Sequence, residues 1–276
     1  MNELFETILI MSLIGSVLSG ILICIKPMTL KNFPAKWQYY VWIVVVTSMI
    51  IPVYELIPEQ EVQKIQHMIP SQIQESDFEI TDDKVYIPES AEIMVPPQHK
   101  VDNPSELKIN IWRILSCIWL FGTVIFISTV IISYAVYILK RRKNSILIEN
   151  NDSFFKIKKQ LKIKRNIRVR KSSDIASPML TGVFFPVVYI PEKEIPEEML
   201  EMVFIHELTH YKRKDIPVKW FALFVNAVHW FNPLAYMISS VLSEACEISC
   251  DMKVTKNMNE DEQKLYMKTI LELVEK

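Results

Sequence analysis

Three long apolar stretches constrain this chain more than any other feature of its sequence. Residues 5–25 carry one charge, Glu6; residues 37–57 carry none before Glu55; residues 109–139 carry only Arg113. Each is long enough to cross about 30 Å of hydrocarbon, which predicts three transmembrane helices within a membrane region at 1–139. The first stretch does not read as a cleavable signal sequence, because Asn2, Glu3 and Glu6 stand where a basic leader would be. Its Ser12, Gly15, Ser16, Ser19 and Gly20 suit close approach of another helix. Trp37, Tyr39, Tyr40 and Trp42 open the second stretch in the manner of an interfacial aromatic belt.

The net charge of −1 conceals a strong segregation. Residues 26–36 hold three lysines and no acid, residues 55–106 hold twelve acids and three lysines, and residues 140–171 hold thirteen Lys and Arg against two acids. The positive-inside rule then puts the N-terminus outside, the acidic loop at 58–106 outside, and everything after residue 140 in the cytoplasm. The basic run follows directly on a span, so topology and attraction to the anionic bilayer explain it better than direct nucleic-acid binding. Within the proline-rich acidic loop, Ile65, Met68, Ile69 and Ile73 can line a short amphipathic helix, and residues 85–87 a brief strand. His67 and His99 lie in that loop without partners by spacing. The four cysteines form no secreted framework; Cys24 and Cys117 fall in apolar spans as small hydrophobes.

Residues 140–276 read as an α+β domain. Residues 152–164 predict a basic helix, 167–170 a strand, and 183–190 a second strand entered through a turn at 177–182. Residues 187–190 are either an edge strand that binds extended substrate by strand addition or an ordinary strand within the sheet. Residues 216–242 are almost uncharged, but Asn232-Pro233 reads as a break. A hairpin of two helices, beside the site or dipping into the bilayer, is therefore expected in place of a fourth span.

His206-Glu207-Leu208-Thr209-His210 carries the chemistry. Pro196 suits the first turn of its helix, and Glu197, Glu198 and Glu201 follow where the helix dipole favours anions. Residues four apart share a helix face, so both imidazoles can hold one Zn²⁺ while Glu207 takes a proton from a metal-bound water. Glu247 and Asp251 are also four apart: Glu247 is the candidate third ligand and Asp251 the carboxylate that orients a ligand histidine. Glu244 competes with Glu247 for the ligand role. Cys246 and Cys250 with the two histidines would instead make a closed structural site, an arrangement that gives Glu207 nothing to do. His229 is a candidate oxyanion stabiliser, or a core histidine beside Trp230. Asp215 reads as the cap of the following helix.

The series His206 to Asp215, then His229-Trp230-Phe231-Asn232-Pro233-Leu234, then Glu247-Ile248-Ser249-Cys250-Asp251, with the upstream segment 177–191, resembles the BlaR/MecR-type membrane zinc metallopeptidases. The resemblance covers nearly the whole chain. It implies a gluzincin-like catalytic domain with one zinc on His206, His210 and Glu247, and Glu207 as base. It also implies signal transduction: cleavage of a cytoplasmic transcriptional repressor that derepresses resistance genes. Residues 1–276 contain no segment that reads as the family's C-terminal penicillin-binding sensor domain, the chain being either a fragment or a member with a short C-terminus; Ser105-Glu106-Leu107-Lys108 lacks the companion motifs of such a sensor, so β-lactam recognition is not carried over. The expected protein is an α-helical multi-pass membrane protein with a cytoplasmic α+β zinc metalloendopeptidase domain. The other readings are a membrane quality-control protease and a non-catalytic transducer that keeps zinc for structure.

Overall fold

A computed structural model describes residues 2–52, 111–149 and 151–274. The acidic loop with its expected helix and strand, His67, His99 and the Ser105 motif lies outside the described residues. Helix α1 (Asn2–Asn32) and helix α3 (Ile111–Lys143) are each long and apolar enough to cross a membrane. α1 continues through Pro27, beyond the connector expected to begin at residue 26; the missing Pro27 N–H removes the helical donor to the Ile23 carbonyl, and next to it the Thr29 hydroxyl donates to the Lys26 carbonyl at 3.0 Å.

Helix α2 (Ala35–Ser48) differs more from expectation. It has 14 residues, about 21 Å of helix and less than the hydrocarbon thickness, whereas residues 37–57 were expected to span. Residues 53–57 lie outside the described residues. The aromatic belt also divides: Trp37 and Tyr40 are exposed, while Tyr39 and Trp42 are buried in helix packing. Their neighbours explain this, because Tyr39, Trp42, Val45, Val46 and Met49 form one core with helix α6 (Asp215–Val228) and helix α7 (Pro233–Thr255).

α6 and α7 form a hairpin whose turn is pinned among the three N-terminal helices. Asn232 caps α7 by accepting from Leu234 N–H at 2.9 Å, and its amide donates to Ser12 and Ser16 of α1, both at 2.8 Å. Trp119 of α3 donates to the Val228 carbonyl at 2.8 Å, and Trp230 returns a bond to the Trp119 carbonyl at 3.2 Å. The Trp230 indole lies flat against Gly122, where a Cβ would come within 2.5 Å of it. His229 is fully buried and donates to the Met49 carbonyl at the end of α2, at 2.9 Å.

The remaining segment builds a four-stranded sheet in the order β1-β2-β4-β3, with β1 (Ser145–Ile148), β2 (Arg168–Ser172), β3 (Met179–Thr181) and β4 (Val187–Pro191). β2 and β4 are parallel; β1 and β3 are antiparallel to their neighbours. Of the two readings of residues 187–190, the structure has the ordinary sheet strand: they are interior, flanked by β2 and β3, and the turn expected at 177–182 contains an edge strand, β3. The burial of Val188, Tyr189 and Ile190 is what an interior strand requires. Helix α4 (Asp152–Gln160) is capped by Asn151, which accepts from Phe154 N–H at 2.8 Å. α4 and helix α5 (Glu197–Arg213) cover the sheet through Phe154, Ile157, Val169, Val188, Phe204 and Leu208. Pro196 is the cap residue of α5, one position before the expected one. Helix α8 (Glu260–Val274) starts with a reciprocal box, in which Asn259 and Glu262 side chains each accept from the other's backbone N–H at 2.9 Å.

Because Asn232 both caps α7 and holds two hydroxyls of α1, Asn232→Ala should destabilise the protein by about 1–2 kcal/mol. Thermal unfolding in detergent micelles would read this as a lowered Tm; an unchanged Tm would show that the turn is held by its packing alone.

Candidate metal centre

α5 presents His206, Glu207 and His210 to a cleft of about 690 Å³, and α7 brings Glu247 and Asp251 to the same cleft. His206 Nε2 and His210 Nε2 are 3.0 Å apart, His210 Nε2 is 3.1 Å from Glu247 Oε2, and His206 Nε2 is 3.7 Å from that oxygen. Three ligands on a tetrahedral ion with bonds of about 2.0–2.2 Å stand roughly 3.3–3.5 Å apart; two edges of the observed triangle are shorter than this and one is longer, so shifts of a few tenths of an ångström would fit it to Zn²⁺. The far nitrogens of both rings are also held. His210 Nδ1 donates to Asp215 Oδ2 at 2.7 Å; a carboxylate only accepts, so this bond leaves the Nε2 lone pair facing the cleft. His206 Nδ1 meets the Tyr266 hydroxyl at 2.7 Å, and that hydroxyl donates to Asp251 Oδ1 at 2.6 Å. Asp251 Oδ1 itself lies 3.3 Å from His206 Nδ1, so its principal hold on the ring runs through Tyr266.

Asp215 was expected to cap α6. Instead Lys214 occupies the cap position with φ 63°, a left-handed conformation that costs a side-chain-bearing residue about 1–2 kcal/mol. The sharp turn it makes folds Asp215 back beneath His210. There Asp215, 1% exposed, accepts from Tyr39 of α2 at 2.9 Å and from Arg213 Nε at 3.1 Å. Arg213 in turn stacks over the Tyr39 ring at 4.9 Å. Tyr39, read as part of an interfacial belt, and Arg213, Lys219 and Tyr266 were not expected at the site; each reaches it through tertiary packing.

The rivals for the ligand roles have other partners. Glu244 forms an ion pair with Lys26 of α1 at 2.8 Å. Cys250 groups with His206 and His210, and Cys246 with His210 and Glu247, so the two thiols fall in separate sets rather than one set of four. Burial raises the Cys246 pKa and keeps that thiol neutral. His229 is not among the residues lining the cleft, and its Nε2–H is committed to Met49, so the geometry gives it no route to an oxyanion.

The electrostatics suit a cation. Burial alone would lower the pKa of both imidazoles, but hydrogen bonds from Asp251 and Glu247 raise His206 to about 9, and those from Asp215 and Glu247 raise His210 as well. Burial would raise Glu247, yet the two imidazoles and Lys219 hold it well below the usual carboxylate range. Lys219 Nζ binds Glu247 Oε1 at 2.7 Å and leaves Oε2 to the histidines. Glu207 is raised, mainly by burial, and opposed by the two histidines and the Leu180 N–H of β3. A partly buried carboxyl with an elevated pKa takes up a proton more readily than a solvated one, as a general base must.

The chain matches the family described as BlaR1 peptidase M56 over residues 6–276. Among curated proteins, it is 29% identical over 156 residues to the regulatory protein BlaR1 of Bacillus licheniformis, covering 55% of this chain and 25% of the relative. It is 21% identical over 285 residues to the methicillin resistance mecR1 protein of Staphylococcus aureus strain Mu50, covering 97% of this chain and 46% of the relative. The regulatory protein BlaR1 of Staphylococcus aureus is 27% identical over 172 residues, 60% of this chain and 29% of that protein. The chain thus spans less than half the length of these relatives. With two apolar helices long enough to cross a bilayer, a cleft lined by metal-binding side chains and a match along almost its entire length, the chain belongs to the BlaR1 peptidase M56 family.

Proposed function

We propose that this chain is a membrane zinc endopeptidase that acts in signal transduction by cutting a cytoplasmic protein, a transcriptional repressor being the class that fits its regulatory relatives. The observation that carries this reading is the triangle of His206, His210 and Glu247, whose outer atoms are all held and which has Glu207 beside it in an open cleft. In this reading α1 and α3 span the bilayer with the N-terminus outside, and the basic end of α3 marks the cytoplasmic face.

His206, His210 and Glu247 would hold zinc. When bound, zinc supplies a water whose pKa falls towards about 7 and a Lewis acid for the scissile carbonyl. Glu207 accepts that water's proton and later delivers it to the leaving nitrogen. Lys219 holds Glu247 Oε1, so Glu247 would offer the metal Oε2 alone. β3 has an unpaired edge and lines the cleft through Met179, Leu180 and Thr181, so an extended substrate can add to it as a further antiparallel strand. Recognition through backbone atoms leaves the choice of cut to neighbouring side-chain pockets.

Glu207→Gln should retain one zinc per chain and lose proteolysis by about 10²–10⁴-fold. Cleavage or signalling that persists unaltered in this variant would sink the catalytic reading and leave a transducer with structural zinc. Glu247→Ala should lose zinc while Glu244→Ala keeps it, measured by metal content after dialysis; the reverse pattern would exchange the two glutamates. Tyr39→Phe removes one hydrogen bond from Asp215 and keeps the ring under Arg213. Partners that hold a ligand histidine contribute about 10–100-fold to metal affinity; one bond further out, a fall of a few-fold in zinc affinity by chelator competition is expected, without loss of the folded state.

A further inference from the structure

The turn between β3 and β4 carries two of the most exposed aromatic side chains in the described structure, Phe184 at 74% and Phe185 at 85%. The turn is held, not slack. Gly182 has φ +86°, and a Cβ there would strike the Phe185 carbonyl. Arg165 donates to the Phe184 carbonyl.

Its direction follows from α3. Tyr137 contacts Met179 through its hydroxyl and sulfur at 2.9 Å, while Tyr134, one helical turn earlier, lines the cleft with Gly182 and has that residue's backbone near its hydroxyl. Passing from Met179 to Gly182 therefore climbs α3 by about 4.5 Å, away from its basic end at Lys140 and into its apolar part. Residues 183–185 form the tip of the loop just beyond Gly182. Beside them a second cleft, of about 510 Å³, is lined by Lys162, Lys164, Arg165, Lys212 and Lys214, all exposed, and no carboxylate is among its lining residues.

We propose that this turn is an interfacial anchor: Phe184 and Phe185 enter the acyl region of the cytoplasmic leaflet while the basic cleft receives anionic lipid headgroups. The proposal rests on the topology given above. Exposed aromatics flanked by cations match an anionic bilayer surface in both layers, apolar below and charged above. The anchor would hold β3 at the membrane, so that substrate is threaded along the bilayer surface.

The test uses the full chain in vesicles, with Cys24→Ser and Cys117→Ser as background and the buried Cys246 and Cys250 left in place. Nitroxide labels go at Phe185→Cys, at Phe184→Cys as a second reporter, at Val136→Cys on the exposed apolar surface of α3, and at Lys193→Cys beyond the far end of β4. In phosphatidylglycerol-rich vesicles, the labels at 184 and 185 should favour oxygen over a water-soluble nickel reagent, as at 136, with nickel accessibility several-fold below that at 193. Pure phosphatidylcholine, or Lys162→Gln with Lys164→Gln and Arg165→Gln, should shift them towards the value at 193. Labels as nickel-accessible as 193 in both vesicles would overturn the anchor, as would labels shielded from both reagents, which would indicate a protein partner. Nickel access at 136 itself would overturn the topology along with it.

Discussion

The carboxylate of Asp215 is the interaction on which the site depends. It is almost fully buried, and an ionised carboxyl taken out of water loses several kcal/mol unless its neighbours compensate. Three do: His210, Tyr39 and Arg213. Those partners come from the helix of the histidine motif, from α2 and from the last turn of α5, and Asp215 itself opens α6. Satisfying this one charge therefore joins the membrane-region helices to the metal-binding helix, and it fixes the ring of His210 in the orientation a metal needs. The strained Lys214 backbone is tolerated because only that turn brings Asp215 into place.

The legibility of the sequence varied with the range of the interaction. Spacing along one helix is a local property, so His206 with His210, and Glu247 with Asp251, were visible as pairs before any fold was known, and family membership followed from the motifs in series. The choice between Glu247 and Glu244 turns on Lys26, more than two hundred residues away, and could not be read locally. Tyr266 and Tyr39 were missed for the same reason. Hydropathy gave α1 and α3 but overran α2, because the residues that make it apolar face the hairpin and not lipid alone. β3 was mistaken for a turn since three residues are too few to show alternation. The sequence does not decide between edge and interior for β4, because burial on both faces has no signature in so short a run.

Two sets of contacts give the hairpin its place. At its turn, polar atoms of Asn232, Trp230 and His229 meet α1, α3 and α2 inside an otherwise apolar environment, where an unpartnered polar group is costly and each bond specifies position. At its open end, Glu247 and Asp251 meet the histidines. The same two helices thus serve as a packed part of the membrane region and as half of the metal centre.

The stiffness of α7 has a mechanical consequence. Between Asn232, locked to Ser12 and Ser16, and Glu247 at the cleft lies an unbroken rod of about 22 Å. Such a rod does not absorb an axial shift, whereas a zinc bond tolerates only about ±0.2 Å. Sliding of α1 against its neighbours by a fraction of a helical turn would arrive at Glu247 as a displacement relative to the two histidines. The spacing of His206, His210 and Glu247 is thereby gauged by the registry of helices that lie some 20 Å away.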